Sequence, residues 1–216
     1  LLANALYLKN TWARKFDASD TYLGVFNPGT GETQETDYLH NGTRNEQYIN
    51  TGSERGVVLP YDDGRLAFFA LMPQDGDLSG YLAKWSGDTL PQVLSAAEDT
   101  LLSLSLPKFE AEWGGSLTEA LVSLGLETAF DKGQAQFEGM GQADGPLYLS
   151  DVVHKTRIEV NEEGTEAAAV TAAIGEACSM PVPEPERLVL DHPFVYGIVD
   201  LERQVPVFLG TFETAE

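Results

Sequence analysis

One cysteine and three histidines are the chain's only soft nucleophile and near-neutral bases, so enzyme-like chemistry has few candidates. Cys178 lies between Glu176 and Glu184. A catalytic thiol needs a histidine base and a lowered pKa, and neighbouring carboxylates push a thiol the other way. Asp191-His192 offers half of a hydrolase triad, but no G-x-S-x-G elbow completes it. A single cysteine excludes an internal disulfide and a cysteine-built zinc site. His40 reads as surface loop, and Asn41-Gly42-Thr43 is a glycosylation sequon. These residues predict no enzyme, metal centre or cofactor.

A different chemistry is legible in "EEGTEAAAVTAAIGEACSM", Glu162 to Met180. As a helix it has almost no side chain large enough to dock it. As a strand it separates cleanly. One face carries Thr165, Ala167, Ala169, Thr171, Ala173 and Gly175, all small and uncharged. The other carries Glu166, Ala168, Val170, Ala172, Ile174 and Glu176. Such a segment can slide its first face over a packed core without burying a charge. Gly164 before it is a natural hinge, and the prolines of "SMPVPEPER" after it favour an extended, solvated connection. The plainer alternative is a surface linker.

The surrounding elements predict a mixed α+β domain dominated by sheet. Strand patterns run over 1–11, 21–26, 32–40, 45–50, 56–60 and 66–73, the last apolar on both faces and therefore central. A helical stretch over 77–98 breaks near Gly87. Leu102, Leu104 and Leu106 alternate with serines as a half-buried strand. Ser116-Leu117-Thr118-Glu119 is a capping box opening a helix that Gly125 stops. Strand returns over 147–159, and 194–199 with 205–212 form a closing hairpin. The 216 residues, 43% hydrophobic and 10% aromatic, can bury a sizeable core. A net charge of −21 argues against nucleic-acid partners, and no apolar run of about 18 residues predicts a membrane span. The chain opens on Leu1-Leu2-Ala3-Asn4 without Met, inside a strand pattern, and reads as a fragment.

Several segments resemble the serpin family, in the family's order. "LLANALYLKNTWARKF" is similar to its third main-sheet strand and following turn, and "LSLPKF" to its lysine-bearing strand junction. "LYLSDVVHKTRIEVNEEGTEAAAVTAA" resembles the fifth strand, the hinge and the start of the reactive loop. "LDHPFVYGIVDLERQVPVFLGTF" resembles the C-terminal strand pair.

The resemblance implies one serpin domain over 1–216: a large main β-sheet, additional β-sheets, and an exposed reactive-centre loop over about 162–187. The N-terminal helices and two main-sheet strands would be missing. It implies a suicide inhibitor of serine proteases, monomeric with a tendency to loop-sheet polymerisation, and secreted. Gly164, Thr165, Glu166, Ala167, Ala168 and Ala169 would form the hinge, with small residues as in inhibitory members. Counting along the loop puts the reactive bond at Cys178-Ser179, with Ala177-Cys178 and Met180-Pro181 left open. Cys178 and Ala177 point to elastase-, chymotrypsin- or subtilisin-like targets. Lys108 and Glu162 would pair near Trp12 where the loop enters, and His154 would be a buried histidine partnered by Asn4. The competing class is a non-inhibitory carrier on the same fold, and a cysteine-dependent hydrolase is more distant.

Overall fold

The computed structural model describes residues 1–8, 10–141, 145–165 and 184–215. In chain order its strands are β1 (Leu2–Tyr7), β2 (Asn10–Thr11), β3 (Tyr22–Phe26), β4 (Gln34–His40), β5 (Arg44–Asn50), β6 (Glu54–Pro60) and β7 (Leu66–Pro73). β8 (Glu98–Pro107), β9 (Phe109–Ser116), β10 (Val152–Val160), β11 (Gly164–Thr165), β12 (Glu186–Val189), β13 (Phe194–Asp200) and β14 (Val205–Phe212) follow. The α-helices are short: α1 (Leu78–Leu82), α2 (Thr89–Ser95), α3 (Thr118–Ser123) and α4 (Glu127–Phe130). The chain divides into two compact units, residues 1–8 with 110–158 and residues 9–109 with 159–216.

The first unit is built on the sheet order β1-β10-β9. β1 and β10 run parallel in unbroken register from Leu2 opposite Val152 to Tyr7 opposite Arg157. Across β10 and β9, Lys155 pairs with Glu112 and Arg157 with Glu110 at 2.8 Å. Asp151 ties the start of β10 to the start of α3, because Ser116 and Thr118 hydroxyls both donate to its Oδ1, at 2.6 and 2.8 Å. Charge-assisted bonds of this length are strong, and they explain why the capping box does not form. Ser116 spends its hydroxyl on Asp151, and Leu117 occupies the N-cap instead. Gly125, at φ +99°, ends α3 as expected: its N–H and that of Leu126 reach back to the Val122 and Leu121 carbonyls. β10 starts at Val152 rather than Leu147, leaving 147–151 irregular.

The second unit holds a nine-stranded sheet among the described residues, in the order β14-β13-β7-β6-β5-β8-β4-β3 with β12 beside β8. β7, "LAFFALMP", is central between β13 and β6 and buried along nearly its whole length, as its two apolar faces predict. Tyr81 and Leu82 on α1, Trp85 just beyond it, and Val93 and Leu94 on α2 pack on the cluster of Ile49, Val58, Phe69 and Leu71. A chain of ring contacts runs from Trp12 through Phe68, Tyr196, Phe109 and Phe212 to Phe26. Of the stretch 179–187 expected as an extended, solvated connection, only 184–187 are described, and they are exposed. Glu186 and Arg187 open β12, which runs parallel to β8 and fully buries Leu188 just beyond that stretch. His40 ends β4 rather than sitting in a loop, with Nε2 3.3 Å from the Ser103 hydroxyl.

Candidate functional site

β10 is followed at once by a chain reversal, and that reversal is where the predicted hinge begins. Asn161 builds it. Its Oδ1 accepts from the N–H groups of Glu163 at 3.0 Å and Gly164 at 3.2 Å, and its own N–H donates to the Gly164 carbonyl at 3.1 Å. An asparagine bonding its own backbone in this way substitutes for a backbone turn. β11 then pairs antiparallel with β2, Gly164 opposite Thr11 and Thr165 opposite Asn10.

Gly164 cannot be another residue without rearrangement. Its φ is +142°, and a Cβ there would stand 2.3 Å from the Asn10 carbonyl oxygen and 2.8 Å from the Trp12 nitrogen. Only a glycine lets the two backbones meet this closely.

Trp12 closes the reversal from the core side. It is buried, stacked on Tyr61 with ring centroids 4.9 Å apart and 3° between planes, and its Nε1 donates to the Asn161 carbonyl at 2.8 Å. The Trp12 and Phe16 N–H groups donate to the Glu163 and Glu162 carbonyls at 3.1 and 3.0 Å. A residue that alone would be ordinary core therefore reads the backbone of the turn directly.

The expected Lys108–Glu162 pair is present, with Nζ 3.0 Å from Oε2 and donating to Oε1 at 3.2 Å. Glu162 also accepts from Thr21 Oγ1 at 3.0 Å. Its side chain is 15% exposed and that of Lys108 42%, so the pair is only half removed from water. Burial pushes the Glu162 carboxyl up, but its own backbone N–H, Lys108 and Thr21 outweigh this and hold it below its ordinary 4.5.

Asn4 and His154 meet within the first unit as register partners, with Nδ2 3.2 Å from Nδ1. Their burial is not as expected. Asn4 is exposed and His154 half-exposed. The Asn41 sequon is overturned as a glycan site. Asn41 is 5% exposed, and its amide donates to the Leu102 carbonyl at 2.9 Å while its oxygen accepts from the Leu104 N–H at 2.9 Å. A three-residue motif carries no information about such long-range bonds. His192 and Asp191 bond each other at 2.8 Å. Glu166, Ala167, Ala168, Ala169, Cys178 and Ser179 lie outside the described residues, as does the side chain of Thr165.

Sequence reasoning did not single out Asn161, Thr21 or Lys15 at this site. The available signal was Asn161 three residues ahead of Gly164, a turn spacing inside a strand-to-hinge passage.

A sequence model of the serpin family, described as serine protease inhibitor, matches residues 1–214. The chain belongs to the serpin family. This serpin is 35% identical to Serpin-ZXA of Oryza sativa subsp. japonica over 97% of its own length and 54% of that protein's. It is 31% identical to the leukocyte elastase inhibitor of Xenopus laevis, over 99% and 57%. Among solved structures, the thermophilic serpin tengpin in its native state superposes at a TM-score of 0.87 with 31% identity, over 98% of this serpin and 55% of that chain. The serpin chain thus spans about half the length of the relatives it matches, and the sheet-dominated α+β architecture is that of the serpin fold.

Proposed function

We propose that this serpin traps serine proteases by offering the segment after Gly164 for cleavage and inserting it between β1 and β10. The observation that best supports the reading is the parallel β1–β10 pair followed directly by the Asn161–Gly164 reversal. A strand continuing from that reversal runs antiparallel to β10, and therefore to β1 as well. Its entry exchanges one parallel ladder for two antiparallel ones, which are the more stable kind per residue. Only the small face from Thr165 to Gly175 need pass over the core, with Glu166 and Glu176 kept on the opposite side.

In this reading the protease serine oxygen attacks the Cys178 carbonyl. The Cys178–Ser179 amide bond breaks, the Ser179 amine leaves with the proton delivered by the protease histidine, and Cys178 is held as an acyl ester. Insertion then carries the protease along before water can release it. The 14 residues from Thr165 to Cys178, at about 3.3 Å each, move it on the order of 45 Å. The energy is strain stored in a metastable sheet. Ala177 and Cys178 fit a small or moderately apolar primary pocket, which favours elastase-, chymotrypsin- or subtilisin-like enzymes. The elastase named in one relative accords with this choice. The reading places this serpin outside the cell as a monomer, with loop-sheet polymerisation as its failure mode.

The test is incubation of the intact protein with elastase-, subtilisin-, chymotrypsin- and trypsin-like proteases, read on a denaturing gel with mass spectrometry of the released peptide. A covalent band of summed mass and a peptide beginning at Ser179 are expected. Clean cleavage without a complex would replace this reading with that of a non-inhibitory carrier.

A further inference from the structure

We propose that Lys15 is a second positioning residue for the turn from which insertion starts, a role that rests on the insertion step of the reading above and not on protease trapping. Consecutive carboxylates of the turn are held by lysines from different segments. Glu162 is held by Lys108, between β8 and β9, and Glu163 by Lys15, whose Nζ lies 2.5 Å from its Oε2. The Lys15 and Glu163 side chains are 37% and 28% exposed, so the pair is partly shielded from water.

Lys15 is itself anchored. Arg44 donates from Nη1 to the Lys15 carbonyl and from Nη2 to the Arg14 carbonyl, both at 2.8 Å, and lies 5.4 Å over the Phe16 ring. The same guanidinium donates from Nε at 2.6 Å to Glu46, a carboxylate only 1% exposed that also takes Arg14 at 2.9 Å. Glu46 thus bolts the segment Trp12–Phe16 to β5 through two arginines. A buried carboxylate with two charged donors is costly to disturb. The lysine therefore does not follow the turn when the turn moves. Opening at Asn161–Gly164 has to break the Lys15–Glu163 contact as well as the Lys108–Glu162 contact, and the two are anchored independently. Lys15 raises the barrier that keeps the cut-ready state from converting before a protease arrives.

The experiment uses the intact protein and its Lys15→Met, Glu163→Gln, double, and charge-exchanged Lys15→Glu/Glu163→Lys variants. Lys15→Met keeps the aliphatic stem, and Glu163→Gln keeps the shape where the first variant fails to fold. The reading is the rate, on mild heating, at which native monomer becomes a heat-resistant monomer on a native gel. Each single variant should convert about three- to tenfold faster, with the double no faster than the singles and the charge exchange restoring the rate to within about twofold. Added salt should speed the parent and not the singles, which a purely packing role would not produce. Single variants within about twofold of the parent, an exchange as fast as the singles, or a parent that never converts would each overturn the assignment. Conversion is read without protease. Faster conversion in the singles from a protein that forms no covalent complex would sink the inhibitory reading and leave the role of Lys15 standing.

Discussion

At the scale of single residues, the reversal at Asn161–Gly164 is a problem of space and charge. Gly164→Ala places a Cβ 2.3 Å from the Asn10 carbonyl oxygen at a φ of +142°. Two such penalties together should cost about 2 kcal/mol or more, read as a lowered denaturation midpoint of the intact protein. Glu162→Lys removes the acceptor of Lys108 and sets two ammonium groups side by side. Lys108 is 42% exposed, so the pair itself is worth only about 1 kcal/mol after solvent screening, and the added repulsion brings the loss to roughly 2 kcal/mol. The expected result is a smaller monomer fraction on a native gel after mild heating; an unchanged fraction would remove Lys108–Glu162 from the insertion mechanism. Acid should act at the same place. The Glu162 carboxyl has a folded pKa below its unfolded value of about 4.5, so its contribution is fully present above that value and disappears as pH falls through the folded pKa. Conversion should therefore accelerate below about pH 4.5 in the parent and be flatter with pH in Glu162→Gln. The opposite lesson comes from Asn41, whose sequon was plain in the sequence but whose amide is bonded to β8. Mass spectrometry of the protein from a glycosylating host should find Asn41 unmodified.

At the scale of elements, strands whose patterns were strong form as read. β7 is buried because "LAFFALMP" has no polar face, and β8 buries Leu102, Leu104 and Leu106 completely as its pattern predicts, although Ser105 on the other face is buried too, its hydroxyl accepting from the Tyr22 hydroxyl. Weak patterns failed for identifiable reasons. The capping box lost its serine to Asp151, 35 residues away, and β12 formed because β8 offered a parallel partner that no local signal announces. Under the proposed mechanism, the stretch from Thr165 to Gly175 is the one whose sequence speaks most directly. Ala167→Arg puts a charge on the small face, and inserting it would bury that charge without a partner. The expected outcome is loss of the covalent protease band with cleavage at an undiminished rate, seen as a shift from complex to cut product on one gel. If the complex forms as before, the face that passes over the core is not the one carrying Thr165, Ala167 and Ala169.

At the scale of the whole molecule, 34 acidic against 13 basic residues set the long-range field. The protein should pass unretained through an immobilised heparin-like polyanion at physiological ionic strength, and the polyanion should not accelerate protease trapping. Retention there would point to a basic patch that the overall charge conceals. The sequence by itself determined the fold class, most strand positions, the glycine at the reversal after β10, the alternation of small residues after it and the sign of the field. These depend on local sterics, on period-2 patterning and on charge, all of which are properties of neighbouring residues. It also carried the family's motifs, and with them the pairing of Lys108 with Glu162 and of Asn4 with His154. Only the tertiary structure decided that Asn161 turns the chain with its own amide, that Trp12 reads that turn through its indole, and that Lys15 meets Glu163 across 148 positions. The physical reason is that the Trp12 and Lys15 contacts join segments far apart in the chain, fixed by sheet register and by how the Trp12–Phe16 corner is bolted to Glu46, while the Asn161 turn, though local, is one of several conformations its spacing to Gly164 allows until β11 pairs with β2.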